Sequence, residues 1–472
     1  MKLERIKSKI ELLPFVKVIS EIADESKLEV YIVGGFIRDV ILNRNRSDID
    51  ILVVGDGLSF ARRCADKLGV ENINIFKTFG TAHFNYKGYE IEFVGARKES
   101  YTRESRNPEV SSGSFLDDIN RRDFTINSIA VAVHPAEFGK VIDTFDGLND
   151  IKNKIIKTPL DPKVTFNDDP LRILRAFRFA SQLQFEIDST LLDAARELAE
   201  RLSIIAQERI TDEFMKILAS PKPSIGLRYL YDTRVMEIIF PEIADLGGVE
   251  QRLDYHHKDV FLHTCQVVDN IAPNTDDVWL RFAALVHDIA KPKTKKFVDG
   301  IGWTFHGHEE LGARMMKPIF KRMKLPLSKL HYVENLIRLH LRPIALVSDE
   351  VTDSAIRRFV VSAGEDLDDL ITLCRADITS KNIKKVEKYL DNYEKVMQKV
   401  KDVKERDKLR AFQSPVSGEL IMKEFGISPS KKVGEIKKAI EEAILDGEIQ
   451  NDFEAAYQYM LKLKNQDYGS NN

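Results

Sequence analysis

The sequence predicts an α+β protein: a mixed-sheet head with helices at the N-terminus, followed by a long all-helical body. Short β-rich runs punctuated by Gly and Asp crowd the first ~155 residues. From about residue 165 onward, apolar residues recur at three- and four-residue spacing. A length of 472 residues with 43% hydrophobic content suits roughly three domains with substantial cores.

Taken in order, the expected strands are Val30–Val33, Ile49–Val54, Ala82–Tyr86, Glu90–Val94 and Ile129–Val133. Gly34-Gly35, Gly55-Asp56-Gly57 and Lys87-Gly88 separate them, because glycine supplies the backbone freedom that tight turns need. The polar stretch from Arg97 to Arg122 reads as a mobile loop. In the helical part, Leu171, Leu174 and Phe177 form one apolar face, and Leu192, Ala195, Leu198 and Leu202 another. Residues 385–410, rich in Lys, Glu and Asp, read as a solvated helix or linker. The expected division is a head over 1–155, a helical neck over 156–245, a histidine-rich helical domain over 246–385 and a helical tail over 386–472.

Composition excludes several classes. No apolar run approaches the ~18 residues that cross a bilayer, and the charged start has no signal-peptide core. Three scattered cysteines make neither a disulfide framework nor a four-thiolate zinc site, so a cytoplasmic protein without a membrane partner is expected. Lys+Arg of 71 against Asp+Glu of 74 gives a net charge of -3. That argues against indiscriminate coating of nucleic acid, which needs a basic excess facing the phosphates, and leaves room for a local basic groove.

The head carries the first chemistry. Val33-Gly34-Gly35-Phe36-Ile37-Arg38-Asp39 follows a strand and opens a helix, and Asp48-Ile49-Asp50 enters the next strand. Alternation along a strand puts Asp48 and Asp50 on one face, where two carboxylates can bridge Mg²⁺ ions. Gly34 and Gly35 let backbone N–H groups approach a triphosphate at a helix N-terminus, and Arg38 stands one turn on as a phosphate clamp. Glu92 is an available third carboxylate, but it shares a strand face with Glu90 and reads as ordinary surface. Glycine pair and carboxylate pair, in this order, resemble the DNA polymerase β-type nucleotidyltransferases.

Arg121-Arg122-Asp123-Phe124-Thr125-Ile126-Asn127 resembles the signature of the class II tRNA nucleotidyltransferases and the related bacterial poly(A) polymerases. Asp143-Thr144-Phe145-Asp146-Gly147-Leu148 is similar to the motif that closes the head in that family. The block Asp168-Asp169-Pro170-Leu171-Arg172-Ile173-Leu174-Arg175-Ala176-Phe177-Arg178 follows, with its arginines reading as a basic stripe beside an apolar face. The resemblance implies that Asp169 and Arg172 read the incoming base in place of a template. Cytosine and adenine both present an amino donor beside a ring-nitrogen acceptor, which suits an Asp acceptor and an Arg donor. It further implies phosphate and ribose contacts from Arg121, Arg122, Asp123, Arg175 and Arg178. Ser203–Ile210 with Glu213–Leu218 resembles a last, supporting motif of the family.

Eight of the ten histidines fall between His256 and His340, around Val286-His287-Asp288-Ile289-Ala290-Lys291. Imidazole and carboxylate together suit a transition metal such as Mn²⁺, Ni²⁺ or Fe²⁺ better than Mg²⁺. The pattern resembles an HD-domain metal-dependent phosphohydrolase, with Ala290 where many such domains have Gly. The resemblance implies that His263, His287, Asp288 and Asp377 form one metal site and that His308 and His340 extend it toward a second.

The whole therefore implies an enzyme that adds CMP and AMP to the tRNA 3′ end from CTP and ATP, with a possible phosphohydrolase side activity. A poly(A) polymerase or a CC- or A-only enzyme is the near alternative. Ser128, where many CCA-adding enzymes have Ala, leans toward poly(A) addition, whereas the final residues lack a basic tail for generic RNA. A nucleotide hydrolase with a sensing head is the alternative from another class, opposed by the intact Asp48 and Asp50.

Overall fold

The strands of the head build the framework on which the site stands, and the first, β1, is the wholly buried Val30–Val33. The computed structural model describes residues 2–76, 80–102, 105–249, 259–300, 302–347, 351–380, 382–407 and 414–469. The remaining head strands are β2 (Asp48–Val53), β3 (Asn74–Phe76), β4 (Thr81–Tyr86), β5 (Tyr89–Gly95), β6 (Arg97–Thr102), β7 (Ser105–Ser112), β8 (Ala130–Ala132) and β9 (Val141–Ile142). Six of these join β1 in one mixed sheet in the order β3-β4-β5-β2-β1-β8-β9. Within it β2 and β5 run parallel and the other pairs antiparallel. Helices Gly35–Ile41 and Gly57–Leu68 flank the sheet, and Phe60, Phe84 and Phe93 pack together in its core.

The stretch expected as a mobile loop is ordered differently. β6 and β7 form a separate antiparallel hairpin, followed by the helix Phe115–Asn120. Ladder bonds join backbone groups and need no apolar side chains, so a polar hairpin leaves little trace in hydropathy. The helix starts at a capping box in which the Ser114 hydroxyl accepts from Asp117 N–H and the Asp117 carboxylate accepts from Ser114 N–H.

Behind the head, helices Leu171–Leu183, Gln207–Leu218 and Pro223–Asp232 pack on one another. The molecule divides at Gly247/Gly248 into two compact units, Arg322–Leu325 belonging with the first. Among its described residues, the second unit is helical apart from one small hairpin, Lys296–Val298 with Gly302–Thr304. Phe282 and Phe320 meet edge to face in its core, and a further apolar cluster joins Ile421, Phe425, Ile440, Ile444 and Met460 near the C-terminal end. The charged stretch after residue 380 is the helix Ile383–Asp407. Among the described residues, no helix is long and apolar enough to cross a membrane.

The motif Asp143–Leu148 has a clear packing role. The Asp143 carboxylate accepts from Gly147 N–H (2.8 Å) and Leu148 N–H (2.9 Å), and Asp150 accepts from the Thr125 hydroxyl (2.7 Å). A Cβ on Gly147 would lie 2.4 Å from the Thr125 carbonyl oxygen. Gly147→Ala is therefore expected to destabilise the protein by about 1–3 kcal/mol through overpacking against backbone. Gly434, inside the helix Lys431–Asp446, has nothing within 4 Å of such a Cβ. Gly434→Ala should stabilise by up to about 1 kcal/mol. Calorimetric melting of both variants checks the pair, and a Gly147→Ala melt equal to wild type refutes the packing account.

Candidate active site and histidine cluster

β2 is the central strand of the sheet and opens with Asp48 exposed, Ile49 buried and Asp50 partly buried. Asp50 stands in register with Val33 of β1 and Glu92 of β5, so three strands converge on it. Gly34 follows Val33 with φ +79°, and a Cβ there would sit 2.6 Å from Asp50 Oδ2. Backbone conformation and the neighbouring carboxylate each require glycine at this position. Asp48 pairs with Arg46 at 3.4 Å. Burial raises the pKa of Asp50, with Arg122 and Arg46 opposing it. Burial also raises that of Glu92, and Asp50 pushes it further in the same direction. This oxygen-rich donor set, in which burial outweighs the neighbouring arginines, fits a hard divalent cation.

Asp50 and Glu92 line a cleft of about 320 Å³, together with Arg121, Arg122, Asp123, Asp169, Arg172, Arg175 and Arg209. The cationic side is organised from within. Asp118, fully buried, accepts from Arg121 Nε (2.9 Å) and Arg122 Nη2 (3.1 Å) and holds both guanidinium groups at the rim. Asp123 accepts from Arg175 Nε (3.0 Å) and Asn127 Nδ2 (3.1 Å). Burial would raise its pKa, but Arg175 and the Asn127 amide outweigh burial and lower it to about 2. Asn127 Oδ1 in turn accepts from Arg38 Nη1 (2.7 Å), whose Nε and Nη2 both bind Asp39.

The arginines of the helix Leu171–Leu183 differ from the expected basic surface stripe. Arg172 is 9% exposed and donates to the carbonyl oxygens of Arg121 (2.6 Å) and Thr165 (3.4 Å). Arg178 binds Glu213 at 2.6 Å, and Arg38, Arg175 and Arg178 surround the Phe179 ring at 5.0, 5.7 and 4.3 Å. A guanidinium buried this far must find carbonyl, carboxylate or π partners, and those partners turn the row inward. Asp169 Oδ1 accepts from Leu171 N–H (3.1 Å) and caps the helix. The fold thus brings Asp50, Arg121, Arg122, Asp123, Asp169, Arg172 and Arg175 to one cleft. Gly34, Gly35 and Asp48 flank it, and Arg38 and Arg178 stand behind it in the supporting network.

The second unit gathers the other set at helix ends. His263 lies in Val260–Ile271, His287 and Asp288 follow Val278–Val286, and His308 opens His308–Arg322. His340 and Asp377 sit just past the C-terminal ends of Leu330–Leu339 and Leu367–Ala376. Three helix C-termini converging on one point favour a cation there. The His287, His308 and His340 Nδ1 atoms lie 2.8, 2.7 and 2.6 Å from the carbonyl oxygens of Ala284, Phe305 and Ile337. Nδ1 is therefore the donor in each ring, which turns each Nε2 toward the cluster as the atom available to a ligand.

Asp288 stands between two groups. His287 Nε2 lies 3.2 Å and His263 Nε2 3.6 Å from Asp288 Oδ2, while His308 Nε2 lies 3.2 Å and His340 Nε2 3.9 Å from Oδ1. Asp377 Oδ1 is 2.9 Å from His263 Nε2 and 3.5 Å from His287 Nε2. The buried His287 Nε2 has no well-formed hydrogen bond despite these neighbours. Burial alone would lower the His287 pKa, but Asp288 and Asp377 outweigh it and raise it to about 10. Burial and the nearby His287 lower His340 to about 4. Two sets, His263-His287-Asp288 and Asp288-His308-His340, have ligand atoms within 4.8 Å of one another, the geometry of a metal-binding cluster. His256 and His257 lie outside the described residues.

Three family models match: "Poly A polymerase head domain" over residues 30–157, "Probable RNA and SrmB- binding site of polymerase A" over 184–246, and "HD domain" over 253–382. An A-adding tRNA nucleotidyltransferase of Aquifex aeolicus is 34% identical over 275 residues, covering 58% of this chain but only 32% of the relative. The chain thus spans about a third of that relative's length. The A-adding tRNA nucleotidyltransferase of Deinococcus radiodurans is 31% identical over 348 residues, covering 72% of this chain and 77% of its own. The chain belongs to the class II tRNA nucleotidyltransferase and poly(A) polymerase family, with an HD domain. This family member is also 28% identical over 472 residues to the CCA-adding enzyme of Streptococcus gordonii, covering 98% and 100% of the two chains. A solved CCA-adding enzyme in its apo form shares the fold, with a TM-score of 0.64, 23% identity and 96% coverage of both chains.

Several residues around this family member's cleft escaped the sequence reading. Asp118 stands three and four residues before the arginines it binds, the spacing that faces side chains on a helix, so this signal was legible. Arg209, from the helix Gln207–Leu218, lines the cleft from a motif read only as support. Glu92, read as strand surface, shares the cleft with Asp50 through the parallel pairing of β5 with β2. That pairing joins strands about 40 residues apart, and local periodicity does not reveal it.

Proposed function

We propose that this chain completes tRNA 3′ ends by adding CMP and AMP from CTP and ATP without a template. One observation carries the reading: Asp50 and the Asp169/Arg172 pair line a single cleft, so a nucleotide held there meets phosphate chemistry and base recognition together. Asp48 and Asp50 would hold Mg²⁺, with Glu92 placed to assist; the bound metal supplies Lewis-acid activation of the 3′-hydroxyl and of the departing pyrophosphate. Gly34 and Gly35 present backbone N–H groups to the triphosphate, and Arg121 and Arg122, braced by Asp118, neutralise it. Arg38 acts on the phosphates through Asn127 and Asp123. Asp123 and Arg175 position the ribose and phosphates, and Arg178 steadies the row from Glu213. Asp169 accepts from the amino group of cytosine or adenine while Arg172 donates to the ring nitrogen. Guanine and uracil would leave these charges unpaired and are rejected.

We assign residues 1–155 to catalysis, 156–245 to base reading and RNA contact, 246–385 to the HD domain and 386–472 to a helical tail. Within the HD domain, His263, His287, Asp288 and Asp377 would hold one transition metal such as Mn²⁺, Ni²⁺ or Fe²⁺, and His308 and His340 would extend the site toward a second. The metal, when bound, supplies Lewis-acid chemistry for phosphoester hydrolysis. The proposed substrates, tRNA and nucleoside triphosphates, place the enzyme in the cytoplasm.

The names of the Aquifex and Deinococcus relatives favour a second reading, addition of the terminal A alone to tRNA already ending in CC. Incubation with Mg²⁺, CTP and ATP and tRNA transcripts ending before CCA, after C and after CC separates the two. All three transcripts extended to CCA is the expected result; extension of the CC transcript alone supports A addition. Arg172→Ala should reduce discrimination against GTP and UTP by about 10²-fold or more. No extension of any transcript overturns the proposal.

A further inference from the structure

We infer that the hairpin Lys296–Val298/Gly302–Thr304 is a stacking platform for single-stranded RNA, leading toward the histidine cluster. The hairpin springs from the cluster at both ends. Lys291 Nζ lies 2.6 Å from Asp288 Oδ2, and His308 follows the second strand by four residues. Phe297 pairs with Trp303 across the ladder, their rings 5.2 Å apart and edge to face. Alternation puts Lys295 and Phe305 on the same face as that pair. Lys295 Nζ lies 4.3 Å from the Trp303 ring centroid and Lys291 Nζ 5.6 Å from that of Phe305. Rings and ammonium groups thus alternate along one face, from the exposed tip to the cluster.

Burial and charge select the occupant. Phe297 is 51% exposed and Val298 38%, so the tip covers no core. From Lys291 to His308 the chain carries four lysines and a single acid, Asp299. Among the described residues, Lys293, Lys295 and Lys296 are paired with no carboxylate. The exposed Phe297 ring, set among lysines that no carboxylate neutralises, matches a strand that alternates bases with phosphates. Stacking accepts any base, so the platform binds without sequence preference. A duplex, whose bases are already stacked, is a poor occupant. The direction of the strand, with its phosphoester toward Asp288, rests on reading the cluster as a metal phosphoester site; the stacking itself does not.

The chain has two tryptophans, Trp279 and Trp303, so full-length protein carrying Trp279→Phe leaves Trp303 as a local reporter. A short single-stranded oligoadenylate is expected to quench Trp303 saturably, and a blunt RNA duplex is not. Phe297→Ala should weaken the interaction about 5- to 150-fold, the loss of stacking on one base, and Phe297→Trp should restore it. Lys295→Ala should lower the salt dependence by about 0.7 per lost phosphate contact. His287→Gln should leave quenching in place while removing metal, which separates failure of the platform from failure of the metal reading. Unchanged Trp303 emission at high oligoadenylate, or equal affinity with Phe297→Ala, overturns the inference.

Discussion

Asp50→Asn is expected to lower nucleotidyl transfer at least about 10³-fold, equivalent to roughly 4 kcal/mol of transition-state stabilisation, while the protein stays folded. Asparagine keeps the shape and removes the charge that would hold the metal. Stability should move the other way. Burial, with Asp48 and Asp118 adding to it, raises the Asp50 pKa against the opposing pull of Arg122 and Arg46. A carboxyl whose folded pKa is raised favours the folded state below its unfolded pKa, and that advantage is lost as pH rises through the folded pKa. At neutral pH the ionised side chain is therefore a net cost to folding, and Asp50→Asn should melt at or above wild type. The gap in melting temperature should be wider at pH 7 than at pH 4. Quenched-flow extension of a CC-ending tRNA and calorimetry at the two pH values test both halves. Retention of more than a tenth of the activity would defeat the catalytic assignment, and a lower melting temperature at pH 7 would defeat the electrostatic one.

His287→Gln should empty the HD site without touching the head. Its Nε2 lies within reach of both Asp288 and Asp377, and Gln offers an amide where the cluster needs an imidazole lone pair. Wild-type protein dialysed against Mn²⁺ or Ni²⁺ is expected to retain about one metal per chain or more. The variant should retain less than about a tenth of that, since losing a ligand costs more than the ~10–100-fold seen for an outer-sphere partner. Metal-dependent phosphate release from a phosphomonoester should fall in parallel. Transfer onto tRNA should stay within about two-fold, because separate sites with no shared partners behave additively. Equal metal retention by wild type and variant in elemental analysis would remove His287 from the ligand set.

Much of the framework was legible in the chain. The runs at Val30–Val33, Ile49–Val54 and Glu90–Val94 announce strands because β-branched and aromatic residues suit a half-buried pleat, and the observed strands Val30–Val33, Asp48–Val53 and Tyr89–Gly95 fall there to within a residue or so. Helix Leu171–Leu183 shows its apolar face directly. The β6–β7 hairpin was not legible, since its pairing is carried by backbone bonds between polar residues. Nor was the fate of the arginines. A helical repeat tells which residues share a face, and only neighbours decide whether that face meets water or Asp123, Glu213 and Phe179.

The chemical kit can be read along the chain: a glycine pair, two carboxylates one residue apart, an Arg-Arg-Asp block and a histidine set around His287-Asp288. These are readable because spacing along a strand or helix sets direction over a few residues. Which pieces act together follows from the folded arrangement. It set Glu92 beside Asp50 across a parallel pair, turned Arg172 inward onto two carbonyls, and put Asp118 beneath Arg121 and Arg122. It also left Phe297 and Lys296 facing solvent on a hairpin that springs from a buried cluster. Such outcomes depend on which groups are withdrawn from water and what then satisfies them. That balance is struck between segments distant in the chain, where local spacing carries no information.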